Sequence, residues 1–168
     1  SVIGGTTAAA GTFTTLTASS NLSVDGGTIK LDGNYPTGTG NVALGDTALD
    51  SVASGGINNT AIGNAALTAN TTGDNNTAVG YNALLTNTTA HRSTAVGYEA
   101  LKVSAVSGDS NASNTAVGYH AGTATTTGLN NTFIGAQNGD ANTTGGNNTS
   151  VGLGALGAMG AFKEEEEL

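Results

Sequence analysis

Cysteine and tryptophan are absent from this 168-residue chain, and proline occurs once, as Pro36. Without cysteine there is no disulfide framework and no thiolate chemistry. Despite 27 glycines, no Gly-X-Y period runs through the sequence, which excludes a collagen helix. Cations are scarce: Lys30, Arg92, Lys102 and Lys163 stand against 12 acids, for a net charge of −8. Nucleic-acid binding needs phosphate neutralisation and is not expected. No apolar run reaches the length of a membrane span. Residues 1–20 lack the basic start and apolar stretch of a secretory signal. Large apolar residues are few as well, with Val, Ile, Leu and Phe numbering 31 in all. One buried Val or Leu contributes only about 1.5–3 kcal/mol, so a thick globular core is out of reach. Two architectures remain open: a thin core drawn out along stacked repeats, or burial between identical chains.

What the chain does have is a repeat. Seven segments align: Asn41-Val-Ala-Leu-Gly45, Asn59-Thr-Ala-Ile-Gly63, Asn76-Thr-Ala-Val-Gly80, Ser93-Thr-Ala-Val-Gly97, Asn114-Thr-Ala-Val-Gly118, Asn131-Thr-Phe-Ile-Gly135 and Asn148-Thr-Ser-Val-Gly152. Their closing glycines lie 18, 17, 17, 21, 17 and 17 residues apart. A second short element follows each, as in Ala48-Leu49, Ala66-Leu67, Ala83-Leu84, Ala100-Leu101 and Ala155-Leu156. It weakens to Ala121-Gly122 and Asn138-Gly139 in the fifth and sixth copies. Polar tracts such as Thr71-Thr-Gly-Asp-Asn75 separate the copies and permit sharp turns. A unit of this length predicts one coil of a parallel β-solenoid, with two strands of four or five residues per coil and coils about 4.8 Å apart.

Side-chain alternation puts Thr77 and Val79 on one face of a strand and Ala78 on the other. The simplest assignment places the apolar column Leu44, Ile62, Val79, Val96, Val117, Ile134 and Val151 inside the coil, so that Val79→Asp would bury a charge. Ala61, Ala78, Ala95 and Ala116 then face outward, small enough for a neighbouring chain to approach closely. Phe133 and Ser150 interrupt that column. Three domains follow: a β connector over 1–40, the solenoid over 41–157, and a tail over 158–168 that fits no repeat.

No catalytic, cofactor-binding or metal-ligating residue is assigned, and the chain is not expected to be an enzyme. His91 and His120 fall near repeat turns with no triad partner in view. Glu99 and Asp109 lack a defined separation for a glycosidase pair. Gly152-Leu-Gly-Ala-Leu-Gly157 matches a dinucleotide fingerprint only in spacing, without the helix and acid that give it meaning. Asp46, Asp74, Asp109 and Asp140 occupy differing repeat positions and form no calcium ladder. Asn-x-Thr sequons such as Asn75-Asn-Thr77 follow from turn composition. Two features are candidates for receptor contact. Tyr81, Tyr98 and Tyr119 recur at one repeat position, which predicts a column of rings. The long fourth repeat carries an insertion around residues 104–111, including Ser107 and Asp109, and solenoid insertions bulge on one face.

The Asn-Thr-Ala-Val-Gly unit resembles the Ser-Val-Ala-Ile-Gly repeat of trimeric autotransporter adhesin heads, which are trimers of left-handed parallel β-rolls. The opening Val2-Ile-Gly-Gly-Thr-Thr-Ala-Ala-Ala-Gly-Thr-Phe-Thr-Thr-Leu-Thr17 is similar to segments common in phage tail-fibre proteins. Together the resemblances imply a left-handed, homotrimeric solenoid in a virion tail or appendage fibre. Such a chain would act as a rigid spacer, with other virion proteins and a host surface glycan or protein as partners and no membrane insertion. The alternative is the head of a bacterial surface adhesin. An ice-binding solenoid and a polysaccharide-cleaving tailspike are less favoured. Ice binding needs outward Thr rows, which the inward facing of Val79 opposes.

Overall fold

The computed structural model describes residues 38–52, 55–104 and 110–157. The tail at 158–168, all but the end of the expected connector at 1–40, and Ser107 and Asp109 in the insertion lie outside the described residues. Within them the chain is all-β. The strands are β1 (Val42–Leu44), β2 (Thr60–Ile62), β3 (Thr77–Val79), β4 (Thr94–Val96), β5 (Thr115–Val117), β6 (Thr132–Ile134) and β7 (Thr149–Val151). They form one seven-stranded parallel sheet in chain order, a β-solenoid of about 6 turns. Each residue pairs with its counterpart one coil on, as Ala78 does with Ala95 and Val79 with Val96.

The closing glycines set the stacking distance. Gly63 holds φ +131°, and a Cβ there would lie 2.6 Å from the carbonyl oxygen of Gly80 in the next coil. No other residue allows both that conformation and that approach.

The second strand expected in each coil is absent. Ala-Leu forms a run of turns in which Leu49, Leu67, Leu84 and Leu101 sit at φ between +47° and +52°. A left-handed leucine costs about 1–2 kcal/mol. Complete burial of its side chain contributes about 1.5–3 kcal/mol in return, and all four leucines are fully buried. The backbone still bonds coil to coil: Leu67 N–H donates to Ala83 C=O at 3.0 Å and Leu84 N–H to Ala100 C=O at 3.1 Å. These leucines fill the interior from the wall opposite the strands.

That filling reverses the facing assigned from sequence. Ala61, Ala78, Ala95 and Ala116 are fully buried inside the coil and are not an outer contact face. Leu44, Ile62, Val79, Val96, Val117, Ile134 and Val151 point outward with the threonines, with exposures reaching 61% at Leu44 and 68% at Val151. The alternation itself holds: Thr and Val share one face and Ala takes the other. The reason is thickness. A leucine already spans the interior from the far wall, so only a methyl fits on the strand side. Charge is therefore intolerable at Ala78, and at Val79 it is not buried in the coil.

Asparagine shares the inward face with alanine, and its column passes hydrogen bonds from coil to coil except at Ser93, whose buried hydroxyl has no partner. Asn59 Nδ2 donates to Gly73 C=O at 2.8 Å while its Oδ1 accepts the Asn76 N–H at 2.9 Å. Asn76 repeats this with Ala90 C=O and the Ser93 N–H, both at 2.9 Å. A second internal asparagine, Asn70 or Asn87, donates to the same carbonyls at 3.0 and 3.1 Å. Each such carbonyl is gripped from both sides, which satisfies polar backbone that a thin coil cannot expose to water.

Phe133 is explained by the two weak repeats. It takes the alanine position of β6 and is fully buried. The leucine positions on either side of it are Gly122 and Gly139, where an added Cβ would meet the Phe133 ring at 2.9 and 2.6 Å. One large ring thus occupies the space of two missing leucines. Phe133→Ala is expected to cost about 3–5 kcal/mol by opening a cavity. Phe133→Ala with Gly122→Leu restores the ordinary Ala-Leu coil and should recover most of that loss in chemical denaturation. A double variant no more stable than the single one would refute the compensation.

Candidate functional site

With Ala, Asn and Leu turned inward, the outer surface is left to three features. The first is the strand face. Thr60, Thr77, Thr94, Thr115, Thr132 and Thr149 form one column. The Leu44-to-Val151 column runs parallel to it, two residues further along each strand. The strands contribute no charged side chain to this face. Strand geometry spaces the two columns by roughly 6.5 Å and successive coils by about 4.8 Å.

The second feature is an aromatic ladder just beyond the closing glycine. The expected tyrosine column is present: Tyr81 and Tyr98 stack with centroids 5.2 Å apart, and Tyr98 and Tyr119 at 5.3 Å. His120 stacks on Tyr119 at 4.1 Å and on Tyr98 at 5.4 Å. The rings cover one another along the coil axis, and Tyr98 has a tyrosine on each side. A sugar stacks on a free ring face, and the ladder leaves such faces only at its ends. Its exposed parts are ring edges and hydroxyls.

Behind the ladder lies an ionic cluster that sequence reasoning missed. Glu99, at 12% side-chain exposure, pairs with Lys102 at 2.8 Å and touches His120 Nε2 at 3.5 Å. It also accepts a bond from Asn82 Nδ2 at 3.2 Å. Asn82, Glu99 and His120 occupy the same position in successive coils. That common position was the available signal, and the repeat alignment contains it. The Lys102 hydrogen bond, then the Asn82 amide, hold the Glu99 carboxyl below the ordinary carboxylate range, against the opposing effect of desolvation. The same bond to Glu99 raises the Lys102 ammonium. Tyr98 is raised chiefly by the Glu99 charge next to it.

The third feature is a surface depression of about 270 Å³ lined by Asp74, Asn75, His91, Arg92 and Asn111. It lies where the insertion rejoins the coil, and His91 and Asn111 form a parallel bridge there. The fold positions its two central side chains firmly. Asp74 Oδ1 accepts the Ile57 N–H at 2.8 Å, and His91 Nδ1 accepts the Asp74 N–H at 2.8 Å. Among the described residues, no group of three His, Cys, Asp or Glu side chains could hold a metal ion, and no helix is long and apolar enough to cross a membrane.

Of the residues assigned from sequence, the structure gathers the three tyrosines into one ladder, while Ser107 and Asp109 lie outside the described residues. Searches against protein-family models, curated proteins and solved structures returned no match for this chain.

The ion pair has a pH signature. Glu99 has a depressed folded-state value. Its contribution is therefore present above the unfolded carboxylate value and is lost as pH falls through the folded one. Lys102 is raised, so its share is present below the unfolded ammonium value and is lost as pH rises through the folded one. Glu99→Gln should lower the melting temperature modestly at mid-pH, where both contributions are present, and leave it little changed at the acid and alkaline extremes, so that both limbs of the profile flatten. A variant profile parallel to wild type at both ends would show the cluster to be energetically silent.

Proposed function

We propose that this chain is the shaft of a homotrimeric fibre, a non-enzymatic spacer in a virion tail or appendage that carries host contacts on its turns. The observation supporting this is the outward apolar column. An unbroken row from Leu44 to Val151 is costly to leave in water, and monomeric proteins seldom expose so ordered an apolar patch. A partner that meets every member of the row must share its axial spacing. A second and third copy of this chain, aligned in parallel and in register, supply that spacing. The contact face is therefore Val/Ile/Thr, not the alanine column. Stacking then proceeds along the axis and burial proceeds across it, which yields stiffness and length. The resemblance of the opening segment to phage tail fibres favours a virion setting over a bacterial adhesin head.

The test is Val79→Asp combined with Val96→Asp. Native mass spectrometry should show trimers for wild type and monomers for the double variant, with the circular dichroism of the strands retained. Ala78→Asp should abolish the fold outright, since it leaves a buried unpaired charge. A wild-type monomer stable at high concentration would refute the trimer.

One observation favours a second reading, an ice-binding face. The outward threonines remove the objection raised from sequence. Rows of Thr hydroxyls and β-branched methyls form a regular, uncharged outward array on the strands. This reading needs the face uncovered, so the two are exclusive. Thermal hysteresis in a monomeric sample would establish it, and a trimer without hysteresis would dismiss it.

A further inference from the structure

We propose that the depression at the foot of the insertion is a binding site for a carboxylated saccharide, with Arg92 as the carboxylate anchor. This rests on the fibre reading above and gives it a ligand. The argument starts from departures from the repeat. The position held by Asp74 and His91 is Thr39, Ile57, Ala112, Leu129 or Gly146 in other coils. The position held by Arg92 is Asn58, Asn75, Asn130 or Asn147 in four other coils, Gly40 in the first and Ser113 in the fifth. That second position is left-handed in every case, with φ +61° at Arg92 and +56° to +61° at the asparagines. Asparagine tolerates this conformation far better than arginine does. The fold therefore does not call for arginine here, and neighbouring coils show what it would accept.

Arg92 is exposed, and among the described residues no ion pair engages its guanidinium. The other cation among the described residues, Lys102, is bound to Glu99. An unpaired guanidinium in a chain of net charge −8 is a donor fork suited to a carboxylate. Around it stand two exposed amides, Asn75 and Asn111, which both donate and accept. Asp74 beside them is an acceptor whose orientation the Ile57 N–H holds. Sugar hydroxyls need this mixture, because each donates one hydrogen bond and accepts others. The charge balance narrows the class further. Arg92 and Asp74 nearly cancel, so a singly charged carboxylate is favoured. A phosphate dianion or polyanion would meet the Asp74 charge at close range. Apolar side chains are missing from the lining, which disfavours a peptide held by hydrophobic anchors. In a trimer three such sites would lie at one axial level and act together.

Arg92→Asn provides a clean test, since it restores the residue of four other coils and should leave assembly intact with a melting temperature equal to or above wild type. Binding would be measured by calorimetry with glucuronate-terminated and sialate-terminated oligosaccharides, each beside its neutral parent. Wild type is expected to bind one or both acidic sugars and to discriminate against the neutral ones. The two acidic arms distinguish a uronate from a sialate source. Arg92→Asn should weaken binding by roughly tenfold or more, the loss of one charge-assisted contact. Asn111→Ala should weaken it by less. Equal binding of acidic and neutral sugars, equal binding by Arg92→Asn, or no binding of either acid by the assembled wild type would overturn the assignment. A trimer that binds no sugar defeats this inference alone, whereas a monomer defeats the fibre reading.

Discussion

Everything in this chain depends on how closely one coil lies on the next. At the closing-glycine corner the backbone of one coil rests on a carbonyl of the next with no room for a methyl group. That contact forces equivalent residues into columns, and a column multiplies whatever its residue does. Glycine in the column lets the corners nest. Asparagine passes a hydrogen bond from each coil to the next. Leucine accepts an unfavourable backbone conformation because burial outweighs it. None of these residues stabilises a single coil by itself. Each needs a neighbour, so stability is expected to grow with the number of coils.

The same dependence explains what could and could not be read from sequence. The spacing of Gly45 through Gly152 was legible because glycine at that corner has no substitute. The tyrosine ladder was legible because a shared repeat position becomes a shared column. The facing was not, because alternation separates Thr77 and Val79 from Ala78 without saying which side is the interior. Hydrophobicity argues for valine inside, and in a thick sheet protein that argument wins. Here the interior is one leucine deep, and volume wins over hydrophobicity. The deciding clue was present in the two atypical copies. Phenylalanine replaces alanine only in the copy flanked by Gly122 and Gly139, a trade of volume that makes sense only if all three positions face the same interior. The second strand was misread for a related reason. Leucine in a left-handed conformation has no local sequence signal, since the coil above and below imposes it.

Departures from the repeat are concentrated in the middle of the solenoid. Ser93 interrupts the asparagine column, and its hydroxyl is buried without a partner. His91, Arg92, Glu99, Lys102, His120 and the insertion all fall within about one and a half repeats of it. On the C-terminal side the departures at Gly122, Phe133, Gly139 and Ser150 change interior volume and add no charge. A spacer has no use for a locally less satisfied column, while a site does, because positions that break a local rule are where function tends to be found. The ionic cluster and the tyrosine ladder then serve as reinforcement. They tie three successive coils together at the level where the asparagine column is interrupted and the insertion enters.

The division of labour between surfaces follows from the same geometry. Strand positions are bound in a column of like residues, so a charge there would be repeated or isolated against an apolar row. Either outcome is poor for the coil. Exposed turn positions such as Asp46, Asn75 and Arg92 carry no such obligation, whereas the turn leucines are held in the buried interior. A stacked chain can therefore change its chemistry most freely at its outward turn positions, and its strand face stays uncharged and evenly ruled. That face suits a partner with an identical ruling, and the turns suit partners that recognise one place along the fibre. Growth along the axis and chemical variation around it thus fall on different edges of the same coil.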